Sequence, residues 1–231
     1  MLLSIIGHLL DYSEVWALFI PLAVWRTHRL QPGWMKPIIN YLLVALVFNL
    51  ACDTLSAIGD YYYVQQKKPP AYVNNIAIYN LHSIARFLLM LQFFVLLKRF
   101  SKKWNVYILV AFIVSIIAIE LFTSESLFSV SGINGNLFTV EALLSLLLCM
   151  AYFLKLIQSD VQHFRYLKDF WVVAGFTTYF VINFFVFLFY NPLFRENQTL
   201  ASRIWDVHNI SYIILSIFIS IALYVHPRDN Y

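Results

Sequence analysis

Polar side chains interrupt the apolar stretches of this 231-residue chain at Glu14, Asn49, Asp53, His82, Arg86, Glu120, Glu141, Asn183, Arg203, Asp206, His208 and Asn209; of these, Asp53, His82, Arg86, Glu141, Asn183, Asp206 and Asn209 are the candidate site. An ionised group at mid-bilayer costs about 2.5–3.5 kcal/mol on insertion scales, so each must find a partner or a hydrated cavity. Arg86 cannot shed its charge; Asp53, Glu141 and Asp206 are the candidate counter-charges. His82 and Arg86 are four residues apart and share a helix face, as do Asn49 and Asp53. On the last apolar stretch, Asp206 and Asn209 fall within about 60° of one another, whereas His208 lies about 160° from Asp206. Arg203, Asp206 and Asn209 therefore share one face, and Trp205, His208 and Tyr212 the other.

These residue types point to recognition rather than to bond-making. A zinc-dependent hydrolase wants three His or Asp ligands at one depth; His82, His208 and Asp53 could converge, but no His pair stands one turn apart. There is no Gly-rich phosphate loop, no paired-glutamate motif of intramembrane proteases and no serine in a nucleophile elbow. All eight lysines fall at loops or helix ends, which excludes retinal carried on a lysine of the last helix. His8, His28, His163 and His226 also fall at ends or loops and read as interfacial side chains. The sequence thus predicts no catalytic residue, no metal site and no cofactor.

The elements that must position the polar groups are membrane helices. Hydrophobic residues make up 61% of the chain and charged residues 12%, about half the charged share of a soluble domain. Aromatics at 18% suit lipid-facing surfaces and interfacial belts. A spanning helix needs about 20 mostly apolar residues. Seven segments answer that description: Tyr12–Thr27, Pro37–Ile58, Asn75–Leu97, Trp104–Phe122, Asn136–Ile157, Phe170–Tyr190 and Val207–Val225. Gln31-Pro32-Gly33, Lys67-Lys68-Pro69-Pro70, Ser131 to Gly135 and Asn191-Pro192 are the helix breakers between them. No loop is long enough for a second domain, so residues 1–231 form a single all-α transmembrane bundle. Met1 to Leu10 lacks a basic start and a small-residue cleavage site, so it does not read as a removable signal peptide.

The 16 Lys and Arg residues set the orientation. With the N-terminus outside, Arg26, Arg29, Lys36, Lys98, Arg99, Lys102, Lys103, Lys155, Arg165, Lys168 and Arg228 are cytoplasmic. Lys67, Lys68, Arg195 and Arg203 are outside, and Arg86 is within the membrane. The positive-inside rule selects this arrangement, with the C-terminus in the cytoplasm. The net charge of +4 forms no stripe on which a phosphate backbone could lie, which argues against nucleic acid. Cys52 and Cys149 sit at different depths in different helices, so no disulfide is expected. Asn197-Gln198-Thr199 is a glycosylation sequon on an outer loop.

In this topology the polar groups gather in the outer halves of the helices, while the inner halves are almost purely Leu, Ile, Val, Phe and Ala. Arg86 lies roughly 15 Å below the outer end of its helix, the deepest of the set. The pattern predicts a pocket open to the outside, and equally fits a ligand-free network of interhelical hydrogen bonds and ion pairs.

Ile78-Tyr79-Asn80-Leu81-His82, the stretch Asp169 to Phe176 with Tyr179-Phe180, and Ile204-Trp205-Asp206-Val207-His208-Asn209-Ile210 resemble a set of small seven-span bacterial membrane proteins of no established activity. The resemblance covers most of the chain in helix count and spacing, and rests mainly on Trp205 to Asn209. It implies a bacterial inner membrane and a likeness to the membrane-embedded sensor regions of some histidine kinases. In that set the position matching Arg86 is more often acidic, so the shared ligand does not transfer. The expectation is a receptor-like or accessory sensor that binds a small ligand through Asp53, His82, Arg86, Glu141, Asn183, Asp206 and Asn209 and signals to a membrane or cytoplasmic partner. A small-solute transporter and an intramembrane metal-dependent hydrolase are the rivals.

Overall fold

The computed structural model describes residues 9–65, 75–98, 100–123, 134–159 and 163–225. The Lys67-Lys68-Pro69-Pro70 breaker, Ser131 to Ile133, Arg99, Arg228, His8 and His226 lie outside them. Seven long α-helices follow in order: α1 (Ser13–Thr27), α2 (Lys36–Val64), α3 (Ile76–Leu97), α4 (Lys102–Phe122), α5 (Gly135–Ile157), α6 (Lys168–Glu196) and α7 (Gln198–Tyr224). Six of them, α2 to α7, are long and apolar enough to cross a membrane. Helix α1 has 15 residues and is preceded by a helical turn at residues 9–11; at 1.5 Å per residue it covers about 22 Å by itself.

Helix contacts define a closed ring. Helix α1 packs on α2 and α7, α2 on α3, α3 on α5, α5 on α6, and α6 on α7. Among the described residues, helix α4 touches only α3 and α5 and sits outside the ring, joined to it by Phe112 stacked on Phe87 at 3.9 Å. Its other faces expose Val106, Val110, Ile113, Val114, Ile117 and Leu121. So continuous an apolar surface is stable against lipid and not against water. The interior is filled with aromatic side chains, Tyr41, Phe87, Phe94, Tyr152, Phe176 and Phe180 among them, each 2% exposed or less.

Three local features differ from the sequence expectation. Helix α6 runs through Pro192 to Glu196, although Asn191-Pro192 reads as a breaker. A proline near a helix end forfeits one backbone hydrogen bond, and neighbouring helices can absorb that loss. Helix α7 then begins nine residues earlier than Val207, at Gln198. The predicted outer loop there shrinks to Asn197, whose side chain accepts from the Leu200 N–H at 3.1 Å and caps α7. The sequon asparagine is therefore a helix cap.

The end of the bundle opposite Asn197 is tied by a side chain that the sequence places in a loop. Lys168 is 6% exposed; its Nζ donates to Gln31 Oε1 at 2.9 Å and to the Leu223 carbonyl at 3.3 Å. Gln31 Nε2 donates to the same carbonyl at 3.1 Å. A cation on the last carbonyls of α7 meets the negative end of its dipole.

Candidate functional site

Six helices contribute to one buried polar network, and they are the six that form the ring. It starts on α3, where Leu81, Leu88 and Val95 take the exposed side and Arg86 points inward. Its Nε donates to Glu141 Oε1 and its Nη2 to Glu141 Oε2, both at 2.6 Å. This is the two-pronged fit that a guanidinium makes with a carboxylate. Ser83, one turn earlier on α3, donates to Glu141 Oε2 at 2.5 Å. Arg86 and Glu141 are 4% and 0% exposed. Of the three candidate counter-charges, Glu141 on α5 is the one Arg86 meets.

The third prong of Arg86, Nη1, donates to the Tyr179 hydroxyl of α6 at 2.6 Å, with the guanidinium 5.1 Å from the centre of the same ring. One turn on, Asn183 Nδ2 donates to the Tyr179 carbonyl and to Ser211 Oγ of α7, both at 2.7 Å. A carbonyl can only accept, so the Asn183 amide is fixed with Oδ1 toward His208 Nδ1. That ring nitrogen therefore carries a proton. The opposite nitrogen, Nε2, lies 2.7 Å from Glu14 Oε1 of α1. One proton must sit between these two atoms, whichever owns it. Asn49 of α2 closes the ring, its Nδ2 donating to the Glu14 carbonyl at 2.7 Å and to the Tyr212 hydroxyl at 3.3 Å.

Between the two ionisable pairs lies a cleft bordered by Glu14, Tyr79, His82, Arg86, Trp205 and His208, among others. Its volume of about 10 Å³ is room for roughly one water. His82 is 5% exposed, stacks flat on Phe48 of α2 at 5.5 Å, and has no hydrogen-bond partner on its Nε2 among the described residues. Asn209 is 2% exposed, with its Oδ1 equally unpartnered among them. Among the described residues, no three His, Cys, Asp or Glu side chains are grouped to hold a metal ion.

The structure therefore unites Arg86, Glu141 and Asn183, sets His82 at the edge of the same cleft, and buries Asn209 nearby. Asp53 and Asp206 stand outside the network, half-buried. The reason is register. Helices α2 and α3 run antiparallel with Phe48 opposite His82; Asp53 lies five residues beyond Phe48, and Arg86 four residues beyond His82 in the opposite sense. At 1.5 Å per residue the two are about 13 Å apart in depth. Helix α7 turns His208, Asn209 and Tyr212 inward, each 5% exposed or less, and leaves Asp206 half-buried, so Asn209 parts from Asp206, with which the sequence grouped it. Ser83, Tyr179 and Ser211 join the network unannounced by the sequence, while Glu14, Asn49 and His208 join it from the polar residues that the sequence placed within the spans but outside the candidate site. For His208 the signal existed in its opposition to Asp206, which forces a choice between two faces of α7. Tyr179 is one of 15 tyrosines and nothing in its type or spacing marks it.

No family model, no curated protein and no solved structure matches this chain.

Proposed function

We propose that this chain is a receptor-like or accessory membrane protein of seven spans, with its N-terminus outside and its C-terminus in the cytoplasm of a bacterial inner membrane. It binds a small polar or amphipathic ligand at the buried centre in its outer half. Helix movement passes the occupancy to a membrane or cytoplasmic signalling partner. The observation that supports this most is the cleft itself: a buried His82 Nε2, without a hydrogen-bond partner among the described residues, between Arg86–Glu141 and Glu14–His208. A buried polar atom without a partner costs about 1–3 kcal/mol, a cost that a ligand with a matching donor or acceptor removes.

A ligand larger than water must part the ring. Doing so exchanges contacts within the network for ligand contacts, and a ligand shifts that balance by its differential affinity for the parted ring. Crossing of the membrane by one helix of 15 residues is helped by the helical turn before it. The inner end favours a one-sided site over a transport path, because Lys168 and Gln31 tie α7 shut there.

A thermal-shift screen of small polar and amphipathic solutes against the detergent-solubilised protein tests the reading. At least one class is expected to raise the melting temperature of the parent and to leave Arg86→Ala unaffected. If no class shifts the parent and Arg86→Ala does nothing but lower stability, the polar centre is structural and the proposal fails. Uptake into proteoliposomes that is abolished by Arg86→Ala would install the transporter in its place.

A further inference from the structure

The flank of the ring carries a second binding chemistry. Phe19, Leu22, Trp25 and Arg26 of α1, Arg29 in the turn after it and Leu43 of α2 line a groove of about 690 Å³, within the range of small-molecule sites. One end is apolar and open to the bundle exterior, with Phe19 54% and Leu43 42% exposed. At the other end stand Arg26 and Arg29, both exposed, and no carboxylate among the described residues lines the groove. Phe19 and Arg26 are seven residues apart, about 10 Å along the helix, so the apolar length begins where the cationic end stops.

We propose that this groove binds an anionic phospholipid, its phosphate held by Arg26 and Arg29 and an acyl chain laid along Phe19, Leu22 and Leu43. Guanidinium forks match phosphate oxygens in pairs, and basic pockets between membrane helices recognise acidic head groups. Trp25, between the charged and apolar ends, has the amphipathic ring that settles at the head-group level. The inference rests on the membrane reading alone; it holds for either direction of insertion and whatever the polar centre binds.

The test uses the full chain in phosphatidylcholine nanodiscs containing a minor fraction of either dibrominated phosphatidylglycerol or dibrominated phosphatidylcholine. The Trp25 signal is the difference between parent and Trp25→Phe fluorescence. Quenching by the anionic lipid is expected to exceed that by the neutral lipid severalfold. Replacing Arg26 or Arg29 by Gln reduces the preference by roughly fivefold each. Changing Lys103 and Arg165 to Gln, two other exposed basic residues, leaves it in place.

Equal quenching by the two lipids overturns the proposal, as does a preference that the control pair lowers as much as the arginines. Should the arginine variants lose helical circular dichroism, native mass spectrometry of the parent decides: one retained phosphatidylglycerol in preference to phosphatidylcholine supports the site, and none refutes it. A second copy of the chain covering the groove, seen as a dimer that excludes both lipids from Trp25, also refutes it.

Discussion

The Arg86–Glu141 contact concentrates the energetic stake at the scale of single residues. Two charges buried to 4% and 0% exposure stabilise each other only because every prong is used, and removing one partner leaves the other charge stranded. Glu141→Leu is expected to lower stability by about 3–5 kcal/mol, read as a fall in melting temperature in detergent. Arg86→Met combined with Glu141→Leu should recover most of that loss, because neither charge remains to be buried. A double variant as unstable as the sum of the two singles would show that a stranded charge is not what destabilises them. Asn183 offers a milder test. It joins Tyr179, Ser211 and His208, and interhelical hydrogen bonds in membranes average about 0.6 kcal/mol each. Asn183→Ala is thus expected to cost roughly 1–3 kcal/mol, including the orphaned His208 N–H. Unchanged unfolding would remove Asn183 from the network.

At the scale of the element, what decides function is which face each helix turns inward. Helix α7 illustrates this: its Asp206 side and its His208 side both carry polar groups, and their presence alone does not say which group meets the network. The choice follows from packing against α6, where Gly175 brings the two backbones close. A Cβ on Gly175 would lie 2.7 Å from Phe218 Cβ, closer than atoms can pack, and in tight contact at 3.3 Å with Leu215 Cδ1. Gly175→Ala should therefore push α7 outward and destabilise the bundle by about 1–3 kcal/mol. It should also loosen the Asn183–His208 contact two turns away, seen as faster hydrogen exchange in α7. An alanine variant as stable as the parent would mean that α6 and α7 are not held at this distance by the missing side chain. The connection between these helices shows the limit of breaker residues as signals. Pro192 ends no helix: α6 continues to Glu196, and packing against neighbouring helices absorbs the lost backbone hydrogen bond.

For the whole molecule, the six ring helices share one polar network, and every side chain named in it comes from them and none from α4, outside the ring. The proposed insertion predicts that green fluorescent protein fused after Tyr231 fluoresces, and that alkaline phosphatase at the same place is inactive. The opposite pair of results would reverse the membrane orientation and place the polar centre in the inner leaflet. Membrane character was legible in the sequence from mean composition and run length, because the bilayer demands about 20 apolar residues whatever their order. The presence of buried ionisable groups was equally legible, since any charge inside such a run is an exception. What the sequence by itself determined is therefore one-dimensional: that six stretches are apolar enough to span, and that ionisable groups lie within them. The tertiary structure alone decided that Glu141 rather than Asp53 answers Arg86, that His208 rather than Asp206 faces inward, and that Tyr179 joins the two halves of the network. Those outcomes depend on the register and rotation of one helix against another, quantities fixed by packing to within a residue or two, and a linear pattern of types leaves them free.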